Sequence, residues 1–331
     1  MRLAAPAPWL RRLTPDPYIV AILATVLLAS ILPIRGVLAA DFALVTKAAI
    51  ALLFFLHGAK LSREAIVAGI THWRLHLTVL ASTFILFPIL GLAMQHLPPS
   101  VLPSSLATGV LFLCCLPSTV QSSIAFTSVA RGNIAAAVCA ASASNLIGIF
   151  LTPVLVALTL GGHGAAFSYA EIQSVVLQLL APFIAGQIAR GWIAPWLARR
   201  GALTGYVDRG SILLVVYGAF SAAVVEGIWR HVSAAQFLAM FVACAVLLGV
   251  VLTTTMLAAR ALGFDKADEI TIVFCGSKKS LASGVPMAGI LFPPAGVGLM
   301  VLPLMIFHQI QLMACAFLAQ RYARRPMAER L

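Results

Sequence analysis

The chain has 331 residues, of which 61% are hydrophobic and only 10% are charged, and its mean hydropathy is +1.02. Soluble domains carry about 25% charged residues, so this composition excludes an ordinary water-soluble protein and indicates one whose partner is the lipid bilayer. The formal net charge of +12 comes from short basic clusters scattered between apolar runs, and no nucleic-acid partner is expected because such a partner needs one continuous basic patch.

Ten apolar segments predict an all-α polytopic membrane protein with ten transmembrane helices, each close to the ~20 residues that a bilayer requires. The predicted spans lie near 18–34, 42–58, 74–94, 104–130, 133–158, 170–189, 210–226, 234–260, 269–291 and 297–320. The fourth span is interrupted by Leu116-Pro117-Ser118, and the ninth by Gly276–Ser280. We expect both helices to break there, because loosened backbone at membrane depth is tolerated where it lines a protein cavity.

The lysines and arginines predict on which side of the membrane each loop lies. Of the 22, all but five fall on one side of the ten-span arrangement. The exceptions are Arg35 and Arg230 on the other side, and Lys47, Lys278 and Lys279 inside spans. Because cytoplasmic loops carry the excess of basic residues, both termini are expected in the cytoplasm, in a multi-pass protein of the inner (plasma) membrane.

The two halves of the chain resemble each other. Ser118–Ser122 of the fourth span aligns with Gly276–Ser280 of the ninth, and both are polar interruptions in the fourth helix of a five-helix set. A set of five is odd, so the second repeat, 161–331, is expected to run inverted relative to the first, 1–160. Inverted repeats with matching broken helices are typical of secondary transporters that bind their substrate near the bilayer midplane.

Lys278 and Lys279 are the strongest candidates for chemistry. A lysine at the bilayer centre costs about 2.5–3.5 kcal/mol, and the ten acidic residues all lie at span ends or in loops, so no carboxylate at mid-depth is predicted to pair with either one. Such an ammonium loses its proton, or is met by backbone carbonyls or by an anionic ligand. The pattern therefore favours an anion-binding or proton-carrying lysine. The alternative is that one lysine extends along its stem to the cytoplasmic interface.

Polar residues beside both breaks complete a candidate substrate and ion site. Their hydroxyl and amide oxygens suit an alkali ion or a polar substrate, although hydroxyls in a proline-kinked helix also bond back to the previous turn, and polar groups also pack membrane helices together. The candidates are Pro117, Ser118, Thr119, Gln121, Ser122 and Ser123 in the fourth span, Ser142, Ser144 and Asn145 in the fifth, Ser277, Lys278, Lys279 and Ser280 in the ninth, and His308 and Gln309, with Gln311 close by, in the tenth.

Motifs of enzymes and of ATP-driven motors are missing from the sequence. It contains no HExxH, no GxSxG and no Walker lysine after a GxxxxG loop. We therefore expect a protein that is not an enzyme and that needs no cofactor or metal beyond a sodium ion.

Three segments together resemble the bile acid:sodium symporter family, and more narrowly its SBF-like branch of sodium-dependent transporters. They are Phe274–Gly284, Leu302–Leu312 and Ala130–Asn133, and the resemblance extends over nearly the whole chain. It implies a panel domain formed by helices 1, 2, 6 and 7 and a core domain formed by helices 3–5 and 8–10. Helices 4 and 9 are then expected to cross at the ion sites.

The resemblance carries over only in part at the level of single residues. It implies a sodium site at Ser123, Ser142 and Asn145, in a region where the better-known symporters have an asparagine at the position of Ile124. Lys278 stands where those symporters have a glutamine, so its charge is expected to take the place of a bound cation.

Two functions fit these observations. The leading hypothesis is a secondary transporter that moves a small organic anion by alternating access, coupled to sodium or to protons, for which a monomer suffices. The alternative is a non-transporting regulatory membrane protein on a transporter-like fold, since fold alone does not determine function. A channel fits less well, because polarity is confined to two predicted crossing points.

Overall fold

The computed structural model describes residues 17–60, 72–160, 169–225, 227 and 233–325, which form helices, turns and loops and contain no β-strand. Basic residues that contribute to the predicted orientation, namely Arg2, Arg11, Arg12, Arg63, Arg230 and Arg330, lie outside these ranges. The helices are α1 (Pro17–Ile31), α2 (Val37–Lys60), α3 (Trp73–Met94), α4 (Ser104–Cys115), α5 (Gln121–Val129), α6 (Ile134–Leu160), α7 (Tyr169–Arg199), α8 (Gly201–Val225), α9 (Ala234–Ala261), α10 (Lys266–Gly276), α11 (Leu281–Leu291) and α12 (Pro294–Ala323).

Six of these helices are long and apolar enough to cross a membrane: α2, α3, α6, α9, and the greater parts of α8 and α12. Exposed leucine, isoleucine, valine and phenylalanine side chains cover much of their outer surfaces. Such a surface requires lipid around it. The chain is therefore an all-helical, multi-pass membrane protein, while the arrangement of ten spans in two inverted repeats stays a prediction.

Helices α2 and α7 pack with their backbones in close approach, through one glycine from each helix. A Cβ atom added to Gly58 would lie 2.0 Å from the carbonyl oxygen of Phe183, and one added to Gly186 would lie 1.9 Å from that of Phe55. Small residues at such contacts let membrane helices approach until their backbones touch. The two glycines therefore fix the distance between α2 and α7.

Replacing Gly186 by alanine is expected to destabilise the protein, because α2 and α7 must separate to make room for the methyl group. Overpacking of this kind costs about 1–3 kcal/mol. The measurement is the thermal unfolding temperature of the detergent-solubilised protein. Gly191→Ala on the same helix is the matched control, since an added Cβ there meets nothing within 4 Å. Equal unfolding temperatures for the two variants would show that this contact does not limit stability.

The beginning of α10 is tied to its neighbours by buried carboxylates. Glu269 is 3% exposed and accepts hydrogen bonds from Arg260 at the end of α9, from Lys266 and from the Tyr322 hydroxyl of α12. Asp268 accepts a hydrogen bond of 2.9 Å from the Asn133 side chain just before α6. Helix α10 is thus held on three sides, which fixes the position of its far end, where it breaks.

Candidate functional site

The two helix breaks meet inside the protein. Helix α4 ends at Cys115 and the chain becomes helical again at Gln121, while α10 ends at Gly276 and α11 begins at Leu281. The Ser280 N–H donates to the Pro117 carbonyl at 2.9 Å, and the Ser118 hydroxyl donates to the Cys275 carbonyl at 2.5 Å. The sequence prediction that both segments are interrupted is therefore confirmed, and the two interruptions are in direct contact.

Five consecutive carbonyls at the first break, those of residues 114–118, have donors from other parts of the protein. A helix end leaves its last carbonyls without intrahelical partners, and Pro117 has no N–H to offer them. The Cys115 carbonyl accepts from the Thr152 hydroxyl, that of Pro117 from the Ser280 N–H, and that of Ser118 from the Asn145 amide. The remaining two, on Cys114 and Leu116, both accept from the Lys279 ammonium.

The second break is satisfied in the same way, mainly by serine hydroxyls. Ser277 bonds back to Val273 within α10, as a hydroxyl in a helix commonly does. The carbonyls of Phe274, Cys275 and Gly276 accept from the hydroxyls of Ser123, Ser118 and Ser82 respectively. These bonds pair backbone groups that the end of the helix leaves without intrahelical partners, and they stabilise the broken backbone inside the protein.

Lys279 is the centre of this network. Its ammonium donates to three carbonyl oxygens, those of Thr83, Cys114 and Leu116, each at 2.7 Å, and lies 4.1 Å from the centroid of the Phe87 ring. The side chain is fully buried. Three donors are all that an ammonium has, so its hydrogen-bonding capacity is used completely. Three carbonyls and an aromatic face around one charge are the environment of a bound cation.

The Thr83 carbonyl is available because of a local irregularity in α3. Residues Ser82–Leu86 form a π-helical turn, in which the Phe87 N–H donates to the Ser82 carbonyl, one residue further back than in an α-helix. The donor that the π register would give to Thr83 is the N–H of residue 88, which is Pro88 and has none. The carbonyl is therefore left without a backbone partner, and Lys279 takes its place.

Lys278 has a different environment, although it is equally buried. Its ammonium donates to a single carbonyl, that of Ser122 at 2.9 Å, and lies 4.1 Å from the Phe126 ring centroid and 5.3 Å from that of Phe274. Two of its three donors thus make no hydrogen bond within the described part of the chain. Neither lysine extends along its stem to the cytoplasmic interface, since both side chains are fully buried, so this alternative prediction is wrong. Backbone carbonyls accept hydrogen bonds from both ammonium groups. Among the described residues, no carboxylate forms an ion pair with either one.

Asn145 of α6 connects the two breaks. Its amide nitrogen donates to the Ser118 carbonyl at 2.6 Å, and its amide oxygen accepts from the Ser283 hydroxyl of α11 at 2.8 Å. One turn of the same helix also presents the Ser144 hydroxyl, which accepts from the Ser118 N–H at 3.0 Å. The predicted patch on this helix therefore holds the ends of both broken helices through two of its three members.

Gln311, rather than Gln309, is the corresponding residue of α12. Its side chain accepts from the Lys279 N–H at 2.9 Å and donates to the Lys279 carbonyl at 3.0 Å, and its nitrogen lies 2.9 Å from His308 Nδ1. Gln309 is only half-buried and makes no hydrogen bond among the described residues. At the first break Ser118 is held through its N–H and carbonyl by α6, just as Lys279 is held by α12. The bonding of Ser118 thus parallels that of Lys279.

The remaining candidates divide into bonded and unbonded residues. The Thr119 hydroxyl contacts the hydroxyls of Ser122 at 2.6 Å and of Ser123 at 3.2 Å, and the Ser280 hydroxyl caps α11 by accepting from the Ser283 N–H. Gln121 is exposed and Ser142 half-buried, and within the described ranges neither makes a hydrogen bond. These two residues do not join the network that surrounds the lysines.

Four residues of this network were absent from the predicted site, namely Ser82 and Thr83 of α3, Thr152 of α6 and Ser283 of α11, and Gln311 was named only as a neighbour of His308 and Gln309. Ser283 and Gln311 lie within the segments that carry the family resemblance, so the sequence contains a signal for both residues. For Thr83 the only sequence signal is Pro88, five residues further along an apolar span.

An all-helical membrane protein in which two broken helices meet around buried lysines is built like a transporter, and the comparisons with known proteins agree. The SBF-like CPA transporter family matches residues 16–324, and the chain belongs to this family. It is similar to a protein of Pseudomonas aeruginosa, PA2026, with 61% identity over 316 residues, 95% of each chain. It is also similar to "Putative symporter YfeH" of Escherichia coli K12, with 57% identity, covering 94% of this chain and 93% of that one. A more distant relative is "Sodium/bile acid cotransporter 7" of Mus musculus, with 31% identity, covering 80% of this chain and 79% of that one.

Proposed function

We propose that the protein is a secondary transporter that moves a small organic anion by alternating access. The observation that carries this proposal is the meeting of two broken helices around two fully buried ammonium groups with no carboxylate bonded to either among the described residues. Uncompensated positive charge at membrane depth selects for an anion that crosses with it or neutralises it. The names of the relatives, a symporter and a bile acid cotransporter, support transport by coupling to a cation.

The proposed architecture has ten spans in two inverted five-helix repeats, 1–160 and 161–331, with α4–α5 and α10–α11 as the paired broken helices. Support comes from similar hydrogen bonds at the two breaks. The N–H and the carbonyl of Ser118 bond to side chains of α6, and those of Lys279 bond to a side chain of α12.

We also propose that the protein lies in the inner membrane with both termini in the cytoplasm. A reporter fused to the C-terminus should be active only in the cytoplasm, and external activity would contradict this orientation.

The two lysines are proposed to have different roles. Lys279, whose three donors are all bonded, is a permanent cation that replaces a bound metal ion and holds α3, α4 and α10 together. Lys278, with one carbonyl partner, is the group that exchanges a proton or contacts the anion. The Ser123 hydroxyl donates to the Phe274 carbonyl, and the Asn145 oxygen accepts from the Ser283 hydroxyl. Each of these oxygens keeps a lone pair that could face a cation, so a sodium site at Ser123, Ser142 and Asn145 is the alternative to protons as the coupling ion.

Charge movement in proteoliposomes tests the proposed function. The purified protein is adsorbed on a solid-supported membrane and exposed to a panel of organic carboxylates and sulfonates. We expect a transient current with at least one of them, of a size that changes between about pH 5.5 and about pH 8, because a lysine that carries the coupling proton changes its charge with pH. Protein-free liposomes are the control. A current that is flat over this range and strictly dependent on sodium would contradict coupling through the lysine.

The second candidate function is a non-transporting regulatory membrane protein. It is favoured by one observation, namely that both ammonium groups are completely enclosed by protein. Anion binding without any current, together with a cellular phenotype that survives loss of both lysines, would support this function and contradict the first.

A further inference from the structure

The ends of α5 and α12 form a basic surface on the side of the membrane that is predicted to be cytoplasmic. Four arginines lie there: Arg131 just after α5, Arg321 in the last turn of α12, and Arg324 and Arg325 directly after it. The Arg325 side chain donates to the Arg131 carbonyl at 2.8 Å, so the two helix ends are in direct contact. The basic surface therefore combines charges from two segments that are distant in sequence.

The exposed arginines of the basic surface have no acidic partner. The side chains of Arg131, Arg321 and Arg324 make no hydrogen bond or ion pair within the described part of the chain. Glu269, which accepts a hydrogen bond from Tyr322 of α12, is already paired with one basic residue of α9 and one of α10. The basic surface thus carries positive charge that is available to an anion from outside the chain.

The backbone of Arg131 places its side chain at an energetic cost. The chain leaves α5 through a Schellman motif, in which the Gly132 N–H donates to the Thr127 carbonyl at 2.8 Å. Arg131 has a φ of +58°, which no other non-glycine residue matches in sign among those that the structure describes. Glycine usually takes this position, because a Cβ is unfavourable there. Strain that accompanies an exposed charged side chain points to a function for the charge.

An apolar stripe on α12 leads to two of these arginines. Met313 and Phe317 are 74% and 71% exposed, on a helix long and apolar enough to cross a membrane. Residues 313, 317, 321 and 324 follow each other at intervals of four, four and three, so they lie along one face of the helix. Phe317 is about 6 Å from Arg321 along the helix axis. Large apolar side chains in the membrane with arginines at its surface match the acyl chain and the phosphate of a phospholipid.

We propose that the basic surface binds an anionic phospholipid of the surrounding membrane. The phosphate lies on Arg131, Arg321 and Arg324, whose planar donor groups suit phosphate oxygens. An acyl chain follows Phe317 and Met313. A soluble phosphate compound has no use for the apolar stripe, so the lipid is the ligand that fits both halves of the site. Because the lipid contacts α5 and α12 together, it binds the folded protein only and stabilises it.

Lipid binding by the purified full-length protein tests this site. The protein is delipidated in a neutral detergent and titrated in native mass spectrometry with phosphatidylglycerol or phosphatidylcholine of the same acyl chains, which differ in net headgroup charge. We expect the dissociation constant for phosphatidylglycerol to be at least about tenfold lower, because charge-assisted hydrogen bonds are strong. Glycerol 3-phosphate, which has the phosphate but no acyl chain, is expected not to bind measurably.

Substitutions locate the lipid on the protein. Arg131→Gly and Arg324→Met are each expected to weaken binding of phosphatidylglycerol about fivefold, and the double variant about twenty-five-fold. Phe317→Ala should weaken both lipids alike, because its contact does not depend on the headgroup. Arg199→Met is the matched control, an exposed arginine in the last turn of α7 on the same predicted side, and should bind as the wild type does.

Arg131→Gly also separates lipid binding from a structural role. Glycine adopts a positive φ without strain, so the unfolding temperature in lipid-free detergent should be unchanged or higher, while the gain on adding phosphatidylglycerol shrinks. Equal affinity for the two lipids, or full affinity in the double variant, would overturn the proposal. So would an equal loss in Arg199→Met, or glycerol 3-phosphate binding as tightly as the lipid. These measurements need no transport, so the lipid site stands or fails independently of the proposed function.

Discussion

Lys279→Met is expected to lower the stability of the protein substantially, by about 3–5 kcal/mol in the free energy of unfolding, as for loss of one partner from a buried charged contact. Methionine keeps the length of the stem but removes all three donors, so the carbonyls of Thr83, Cys114 and Leu116 lose their only described side-chain partner. The measurement is thermal unfolding in detergent. Lys278→Met is the matched comparison one residue away, and should cost less because a single carbonyl loses a bond.

A chemical rescue separates the role of the charge from the role of the side-chain volume. Lys279→Ala leaves a space that n-propylammonium, which has the atoms that the substitution removes, is expected to fill, raising the unfolding temperature again. Neutral n-propanol and tetramethylammonium, which has no N–H to donate, are expected to give no rescue. If Lys279→Met and Lys279→Ala both unfold like the wild type, the three carbonyls do not depend on an ammonium, and its role as a permanent cation is wrong.

Lys278→Met is expected to abolish transport while the protein still inserts and folds. The substitution removes the ammonium that has two unbonded donors and replaces it by an apolar group of similar length, among the rings of Phe126 and Phe274. The current in the solid-supported-membrane experiment should fall at least about a hundredfold, in line with the usual effect of removing a group that transfers a proton. The unfolding temperature and the gel-filtration profile show whether folding is retained.

Two further variants define what Lys278 contributes. Lys278→Arg keeps a positive charge but does not release its proton, so current should become independent of pH or be lost. Arg321→Met, far from the breaks, should carry normal current. Normal, strictly sodium-dependent transport by both single methionine variants would show that the lysines are structural. The ion site would then have to be built from Ser123, Ser142, Ser144 and Asn145.

The sequence by itself determined where the two membrane helices break and which charges lie between them. Pro117 removes an N–H from an apolar run, and Gly276 with the four polar residues that follow it interrupts another, so neither segment can continue as a helix in lipid. It also determined that Lys278 and Lys279 have no carboxylate nearby in the chain, because all ten acidic residues lie near span ends or in loops. These conclusions depend on local chemistry, which a sequence contains in full.

The tertiary structure alone decided which groups meet these charges. The carbonyls around Lys279 come from two helices distant in sequence. Every residue type has a backbone carbonyl, so the sequence does not show which residues supply these acceptors. The choice of Gln311 over Gln309 depends on the rotation of α12 about its axis, which the sequence does not fix in a helix that is apolar on nearly all sides. Lys47, which the sequence places inside the second span, lines a cavity only because α8 and α11 pack against α2 at that level. Partners in a buried site are set by packing between distant segments, whereas breaks and unpaired charges are set by the residues themselves.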